Sequence, residues 1–534
     1  MSQPFGLSAR GGLYTSLNQL EMLAQPGVAS KLTNFEVDTD GGYRRINGFS
    51  LFGGGSSVRP NGSNKVLGIF VYADGVIVCS GTGIFFSQTG TSWISIAKQS
   101  VSSSGDNHST FTGRSDLTRT SQGQVSFSLF EGTTDYGTVL ICDGANKPYF
   151  FRMEGTGALT SRTFFGGEVT VDSTKAPAVG TIHDKHFVVA GAEGAENTIY
   201  FSATNNPESF TATGSGSIVL EDQVVGLASF RNDLIIFCKN SLFKLLNINN
   251  SSTITVQPIT KNVGCLDANS IQEIAGDLLF LSPDGLRTVA GTVRIGDVEL
   301  GSVSRPIQPT IKSIAANINN LTVTSAVLRS KSQYRLFYNT DGTANTTAKG
   351  VIATLTNEGF QYSETEGIKA TAIASGFDKD GLEQTFHGDG DGYIYNHDTG
   401  NSFDYAGTAS NISAAYQTPN LDFGDVGTKK TMRYVRLSMS PEGVIQPTLR
   451  VRFDYEDPAI AQPLDYVLDS IPLPSLFGSG VFGTNTFGAP ADPLVRKSIQ
   501  GSGNTVSFAV TSVDQNFPYT VNGLYIDYTP SGRR

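Results

Sequence analysis

The 534 residues contain one tryptophan, Trp93, four cysteines, five histidines and five methionines. Cys79, Cys142, Cys238 and Cys265 are too few to staple so long a chain, and no C-x-x-C pair exists to suggest zinc. No apolar run approaches the length of a membrane span. The opening MSQPFGLSARGGLYTSL lacks the apolar core of a signal peptide, so a soluble protein made without Sec export is expected. Charged residues are only 16%, and the formal net charge is −10. The linear sequence shows no basic stripe of the kind sequence-specific DNA-binding domains carry. A mildly negative surface would let DNA slide past without sticking. No nucleophile elbow, phosphate-binding loop or H-E-x-x-H helix occurs. A single tryptophan also argues against a lectin, whose sugar platforms favour that residue.

Glycine and short β-rich runs are what the chain has. There are 60 glycines, not strictly periodic, which excludes collagen. From Ile199 to Val289, apolar runs (IYFS, VVGLASF, LIIFC, LFKLL, DLLFLS, LRTV) alternate with polar turns. Each run has the length of a strand and is too short for a helix. Asn232-Asp233 and Asp284-Gly285 stand between paired runs, where hairpins need turn formers. Asp74-Gly75 is the strongest such signal and predicts a two-residue hairpin with positive φ at Gly75.

Residues 1–55 read as an arm followed by a hairpin around Asp40-Gly41-Gly42, with a helix-compatible patch at Leu17 to Leu23 stopped by Pro26-Gly27. Repeating four-strand units then run from Lys65 to about residue 408. Their spacing is close to the roughly 40 to 50 residues of a propeller blade. The expected fold is therefore all-β: a β-propeller over 56–408 with about seven four-stranded blades, six being possible. NSIQEIAGDLLFLSPDGLRTVAG and VRIGDVELG make the fifth unit. The Ser/Thr-rich stretch 99–123 predicts a long insertion loop projecting outward. Over 409–534, YVRLSM and LRVRFDY alternate apolar with polar, the pattern of a C-terminal β-sandwich, and 471–493 is a long assembly loop within it.

YFSATNNPESF, ASFRNDLIIFCKNSLFKL and NVGCLDANSI with FLSPDGLRTV resemble the β-propeller of bacteriophage tail structural proteins, the tail hub or nozzle proteins of short-tailed phages. The likeness spans about residues 10 to 450. It implies a non-enzymatic virion protein made in the host cytoplasm. It also implies a homohexameric ring beneath portal and adaptor rings, with tail fibres or spikes as neighbours. Genomic DNA would pass through that ring without sequence-specific binding. A propeller's own tunnel is too narrow for a duplex about 20 Å wide. The conduit wall is therefore expected from 1–55 and 410–534, the arm and the 471–493 loop ordering against other subunits. A receptor- or glycan-binding tail propeller is the alternative, and a propeller glycoside hydrolase the third reading.

Candidate sites have plain readings beside the sharp ones. His387, Asp389, Asp391, His397 and Asp398 crowd into HGDGDGYIYNHD. A metal site is conceivable, but Tyr393 stands where an EF-hand ligand would be, and a hairpin with Asp-Gly turns explains the run. His183 and His186, at i and i+3 of a strand, would point to opposite faces and read as surface and rim residues. Arg44 and Arg45 offer an anion site or, more simply, a solvated strand edge. TKKTMRYVR at 428–436 is the one basic cluster: a strand with one charged face, solvated or meeting DNA or an acidic subunit. Cys79, Cys142 and Cys238 each close an apolar run, which predicts buried thiols at equivalent places of a repeat. No residue is assigned a catalytic, cofactor-binding or metal role. A glycosidase needs two carboxylates at a set spacing, and the sequence names no such pair.

Overall fold

The computed structural model describes residues 3–533 except 26, 100, 118, 121–122, 133, 173–174, 291–301 and 470–493. Antiparallel hairpins dominate because short apolar runs can bury both faces only when sheets stack on each other. Six small sheets are arranged as blades of a β-propeller: 66–95 (blade 1), 106–168 (2), 179–219 (3), 224–260 (4), 272–288 (5) and 372–410 (7). The other side of the ring, blade 6, is the first four strands (322–366) of a nine-stranded sheet. Seven innermost strands thus surround one axis, and Thr322–Leu328 packs beside Gln272–Ile274 and Ala372–Phe377. Residues 293–301, expected in the fifth unit, lie outside the described residues.

The N-terminus closes the ring. Phe49–Leu51 pairs with Ile394–His397 and supplies a strand to blade 7. Residues 1–55 are not a free arm. Gln3–Ser8 pairs along Tyr519–Arg533, Lys31–Thr33 lies between Gly359–Glu366 and Ile412–Gln417, and the predicted hairpin Phe35–Val37/Tyr43–Arg45 joins the same sheet as the C-terminus. The helix-compatible patch forms only Gln19–Met22, capped by a reciprocal Asn18–Glu21 pair. Residues 409–534 likewise do not close on themselves. Their strands fall into two sheets, one of seven strands completed by N-terminal strands and one of nine continuous with blade 6. A single core, with Tyr43, Tyr416, Val435, Phe508 and Leu524, lies between them.

Several local expectations change. The first hairpin turns at Ala73-Asp74, with Ala73 at φ 56, and Gly75 is already paired with Tyr72. Glycine is required there by packing, because a Cβ would lie 2.3 Å from the Ser87 carbonyl oxygen. The described residues of 99–123 do not project. Asp106–Asn107 adds a fifth strand to blade 2, and the short helix His108–Thr112 buries Phe111 in stacked contact with Phe164, 4.8 Å between centroids. Phe111 anchors the stretch, and ion pairs Arg114–Asp106 and Lys98–Asp116 hold it beside blades 1 and 2.

The four cysteines are buried and unbridged. Cys142 and Cys238 end the second strands of blades 2 and 4, but Cys79 stops one residue short of the end of Gly75–Ser80. The expected equivalence fails: Val66 pairs with Ser80 as Val224 pairs with Cys238, and Cys79 packs towards blade 2 whereas Cys238 packs back towards blade 3. Burial pushes the Cys79 thiol up to about 11 and those of Cys238 and Cys265 to about 12. Among the described residues, no helix is long and apolar enough to cross a membrane.

Candidate functional site

Two cavities contain the chemistry-bearing side chains. The larger, about 530 Å³, is the axial cup enclosed by the seven inner strands. Its wall is mostly hydroxyls, amides and small apolar groups, including Ser126, Thr181, Gln272 and Ser325, with Glu273 the one charged lining residue among those described. Inner strands begin at one end of the axis, and there Gln124 crosses it. Its amide nitrogen donates to the Val323 carbonyl at 2.8 Å and its amide oxygen accepts from Asn269 Nδ2 at 2.7 Å. A residue leading into blade 2 thereby bonds to blades 5 and 6, on the far side of the ring, and bars that end. Other lining groups stitch neighbouring blades: Ser128 Oγ donates to Gly180 O at 2.9 Å, and Gln272 Nε2 to Ser325 O at 3.0 Å.

The second cavity, about 350 Å³, lies between blades 6 and 7 and is lined by Glu383, Asn396, His397, Asp398 and Thr399 among others. Beneath it is a buried ionic network. Arg335 bridges Glu36 at 2.9 Å and Asp398 at 3.0 Å. Lys331 bridges the same two carboxylates at 2.9 and 2.7 Å. Arg44 extends it from Glu36, at 2.8 Å, to Glu442. His397 Nε2 meets Arg335 at 3.0 Å, and His397 Nδ1 meets His387 Nδ1 at 3.1 Å. The network joins the N-terminal hairpin, blades 6 and 7, and the C-terminal sheet. Three cations answer three anions, with Glu36 and Arg335 buried at the centre, where an unpaired charge would be costly, and Glu442 at the exposed rim.

Burial lowers the pKa of His387 to about 3 and pushes that of His397 well below its usual range, so both are neutral. Asp398 is desolvated, yet Arg335 and Lys331 overcome that and hold it well below the usual carboxylate range. Glu383 is lowered too: burial opposes its charge, but the backbone amides of Ser330 and Arg329 donate to it. The two carboxylates in this cavity are therefore both ionised. Retaining and inverting hydrolysis both need one protonated carboxyl as acid.

The HGDGDGYIYNHD run forms blade-7 strands, as read. Asp389 is buried under the amides of Asp391 and Tyr393 and the Tyr395 hydroxyl. The structure brings His387, His397 and Asp398 together but leaves Asp389 and Asp391 in the turn. No group of three or more His, Cys, Asp or Glu arranged to hold a metal occurs among the described residues. His183 and His186 are not surface residues. A turn at Asp184-Lys185 sets them opposite each other on two strands, both buried, with His183 Nδ1 2.9 Å from Ser229 Oγ and His186 Nε2 2.9 Å from Asn249 Oδ1. Arg45 is fully buried, donating to the Asp514 carbonyl at 2.8 Å, and Arg44 belongs to the network, so neither is a solvated edge. Sequence reasoning missed Glu36, Lys331, Arg335 and Gln124. Their partners lie far away in the chain, and no local signal marks them.

No family model matches the chain, and no curated protein matches it. Among solved structures it is similar to the extracellular domain of the one-component system BT4673 from B. thetaiotaomicron. That match has 10% identity and a TM-score of 0.35, covering 70% of this chain. The chain spans 45% of the length of that protein. It is also similar to a chain of RAG in complex with one melted and one unmelted RSS, at 9% identity and TM-score 0.34, covering 65% of this chain and 97% of that one. Likeness at this level bears on neither activity nor partners.

Proposed function

We propose that the chain is a structural, non-enzymatic virion protein, a subunit of the hub or nozzle ring of a phage tail through which DNA is ejected. The resemblance of residues 199–289 to tail propellers motivates the reading, and the observation that carries it is the barred axis. Gln124 crosses the propeller's tunnel, so a duplex about 20 Å wide has to pass beside the propeller, through a ring of subunits. The buried network that ties both chain termini to blades 6 and 7 supports a rigid building block. The proposed partners are five further copies, portal and adaptor proteins, fibres or spikes, and the passing genome. Cyclic closure of such a ring needs heterologous contacts. The 99–123 segment, packed on blade 2, is no longer a projecting candidate for them, and 471–493 lies outside the described residues. Mass photometry and negative-stain electron microscopy of the purified protein test the reading. Sixfold rings with an axial opening wide enough for a duplex are expected. A monomer at all concentrations, alone and with portal and adaptor proteins, would overturn it.

The axial cup favours a second reading, a receptor- or glycan-binding propeller. Thr181 and Glu273 line the cup, and neither side chain has a hydrogen-bond partner among the described residues. Strong hits on a glycan array, lost on Thr181→Val, would favour this reading over the ring.

A further inference from the structure

The outward face of the C-terminal sheet carries a pattern that the ring proposal leaves unused. Thr428–Pro441 alternates strictly at its centre: Val435 and Leu437 point into the core, Tyr434 and Arg436 outward. A bulge between Met432 and Tyr434 adds one residue, and so places exposed Arg433 on the same outer face as Tyr434. Register then aligns Gly6, Tyr525, Arg436 and Arg496 in one row across four adjacent strands. Tyr525 is 54% exposed, and the Gly6 backbone beneath it leaves room for the ring to lie close to the sheet. Arg496 stacks over the Tyr434 ring at 3.7 Å. Arg436 pairs with Asp527, the one carboxylate on this patch among the described residues. Arg433, whose Nε bonds only Thr529 Oγ1, and Arg496 have no carboxylate partner among the described residues. Two arginines directly opposite on neighbouring strands repel each other, a cost that an anion between them would remove.

We propose that this face binds single-stranded nucleic acid. Arg433, Arg436 and Arg496 would take phosphates, and Tyr525 would stack a base. The charge is what a phosphodiester chain requires, on a protein whose net charge is −10. Exposed aromatic rings on a flat sheet between arginines are how single strands are held with little sequence preference. An acidic protein would satisfy the arginines but has no use for an exposed ring flat on the sheet. The inference stands apart from the tail reading, which concerns assembly and calls for DNA to pass without adhesion.

Fluorescence anisotropy with a labelled oligothymidylate tests it on the full chain, with oligomeric state measured in parallel. Binding should weaken steeply between about 50 and 200 mM salt. The R433Q/R436Q/R496Q variant should lower the salt slope by about 2, at roughly 0.7 per phosphate contact. Tyr525→Ala should weaken binding about tenfold without changing that slope. A variant losing the same charge elsewhere, at Lys239, Lys261 and Lys312, should bind as the parent does. No binding at low salt overturns the proposal. So does binding that the triple arginine variant leaves intact while its circular dichroism matches the parent's. Equal competition by a heparin oligosaccharide, with Tyr525→Ala silent, overturns the assignment to nucleic acid in favour of polyanions at large. Sixfold rings without oligonucleotide binding would sink this inference and leave the ring proposal standing.

Discussion

Acid should loosen the junction between blades 6 and 7, and the cause can be isolated to His387. Its ring is buried, stacked on Tyr395 at 4.9 Å and edge-on to Phe49 at 4.9 Å. Burial lowers its pKa from 6.5 to about 3. A histidine lowered on folding gives the unfolded chain the greater affinity for protons. Its contribution is complete above the unfolded value and is lost as pH falls from about 6.5 towards about 3. A single group with that shift costs about 2 kcal/mol at about pH 5 and about 3 kcal/mol at about pH 4. Against a total stability on the order of 10 kcal/mol this is a visible fraction. His397 titrates in the same direction and adds to the slope. Urea unfolding followed by near-ultraviolet circular dichroism, repeated from neutral pH down to about pH 4.5, reads the effect as a falling midpoint. His387→Phe keeps a ring against Phe49 and Tyr395 but cannot titrate. The variant should lose about 2 kcal/mol less than the parent between neutrality and about pH 5. Parallel curves for parent and variant would show that this histidine is protonated in the folded state or is hydrated, and the reasoning would fail.

Gln124→Ala should cost about 1–3 kcal/mol in urea unfolding, because the Val323 carbonyl loses its donor and Asn269 one of its acceptors. It should also speed amide exchange at the leading ends of the inner strands, and unchanged exchange would remove the bar across the axis. Phe111→Ala should lose about 3–5 kcal/mol, whereas a projecting loop would lose almost nothing. Gly75→Ala should destabilise by about 1–3 kcal/mol through contact with the Ser87 carbonyl, and a neutral result would restore the turn reading. All four thiols should react slowly with a thiol reagent until urea unfolds the chain, since burial raises each pKa. Rapid labelling of several of them in the native protein would contradict the burial.

The sequence by itself determined the elements and their repetition. Runs such as LIIFC and VLGIF are strands because nothing else buries four to six consecutive apolar residues with turn formers at both ends. Their recurrence at blade spacing implied a propeller, and the burial of Cys79, Cys142 and Cys238 was legible in the apolar runs they follow, though not which face of its blade each thiol takes. Turn positions were legible only to within a residue, because Gly75 serves a contact with Ser87 that sequence neighbours do not reveal. Only the tertiary structure decided how the ring closes and where the ends of the chain go. Phe49–Leu51 finds its place against Ile394–His397, and Gln3–Ser8 against Tyr519–Arg533, across almost the whole length of the chain. Backbone pairing is indifferent to sequence separation, so a three-residue strand such as Lys31–Thr33 carries no mark of its partner. The candidate sites followed the same division. His387, His397 and Asp398 stood out as a cluster because they share a hairpin. Glu36, Lys331 and Arg335, which make that cluster a balanced ionic network, are ordinary surface residue types until burial forces each charge to find its opposite.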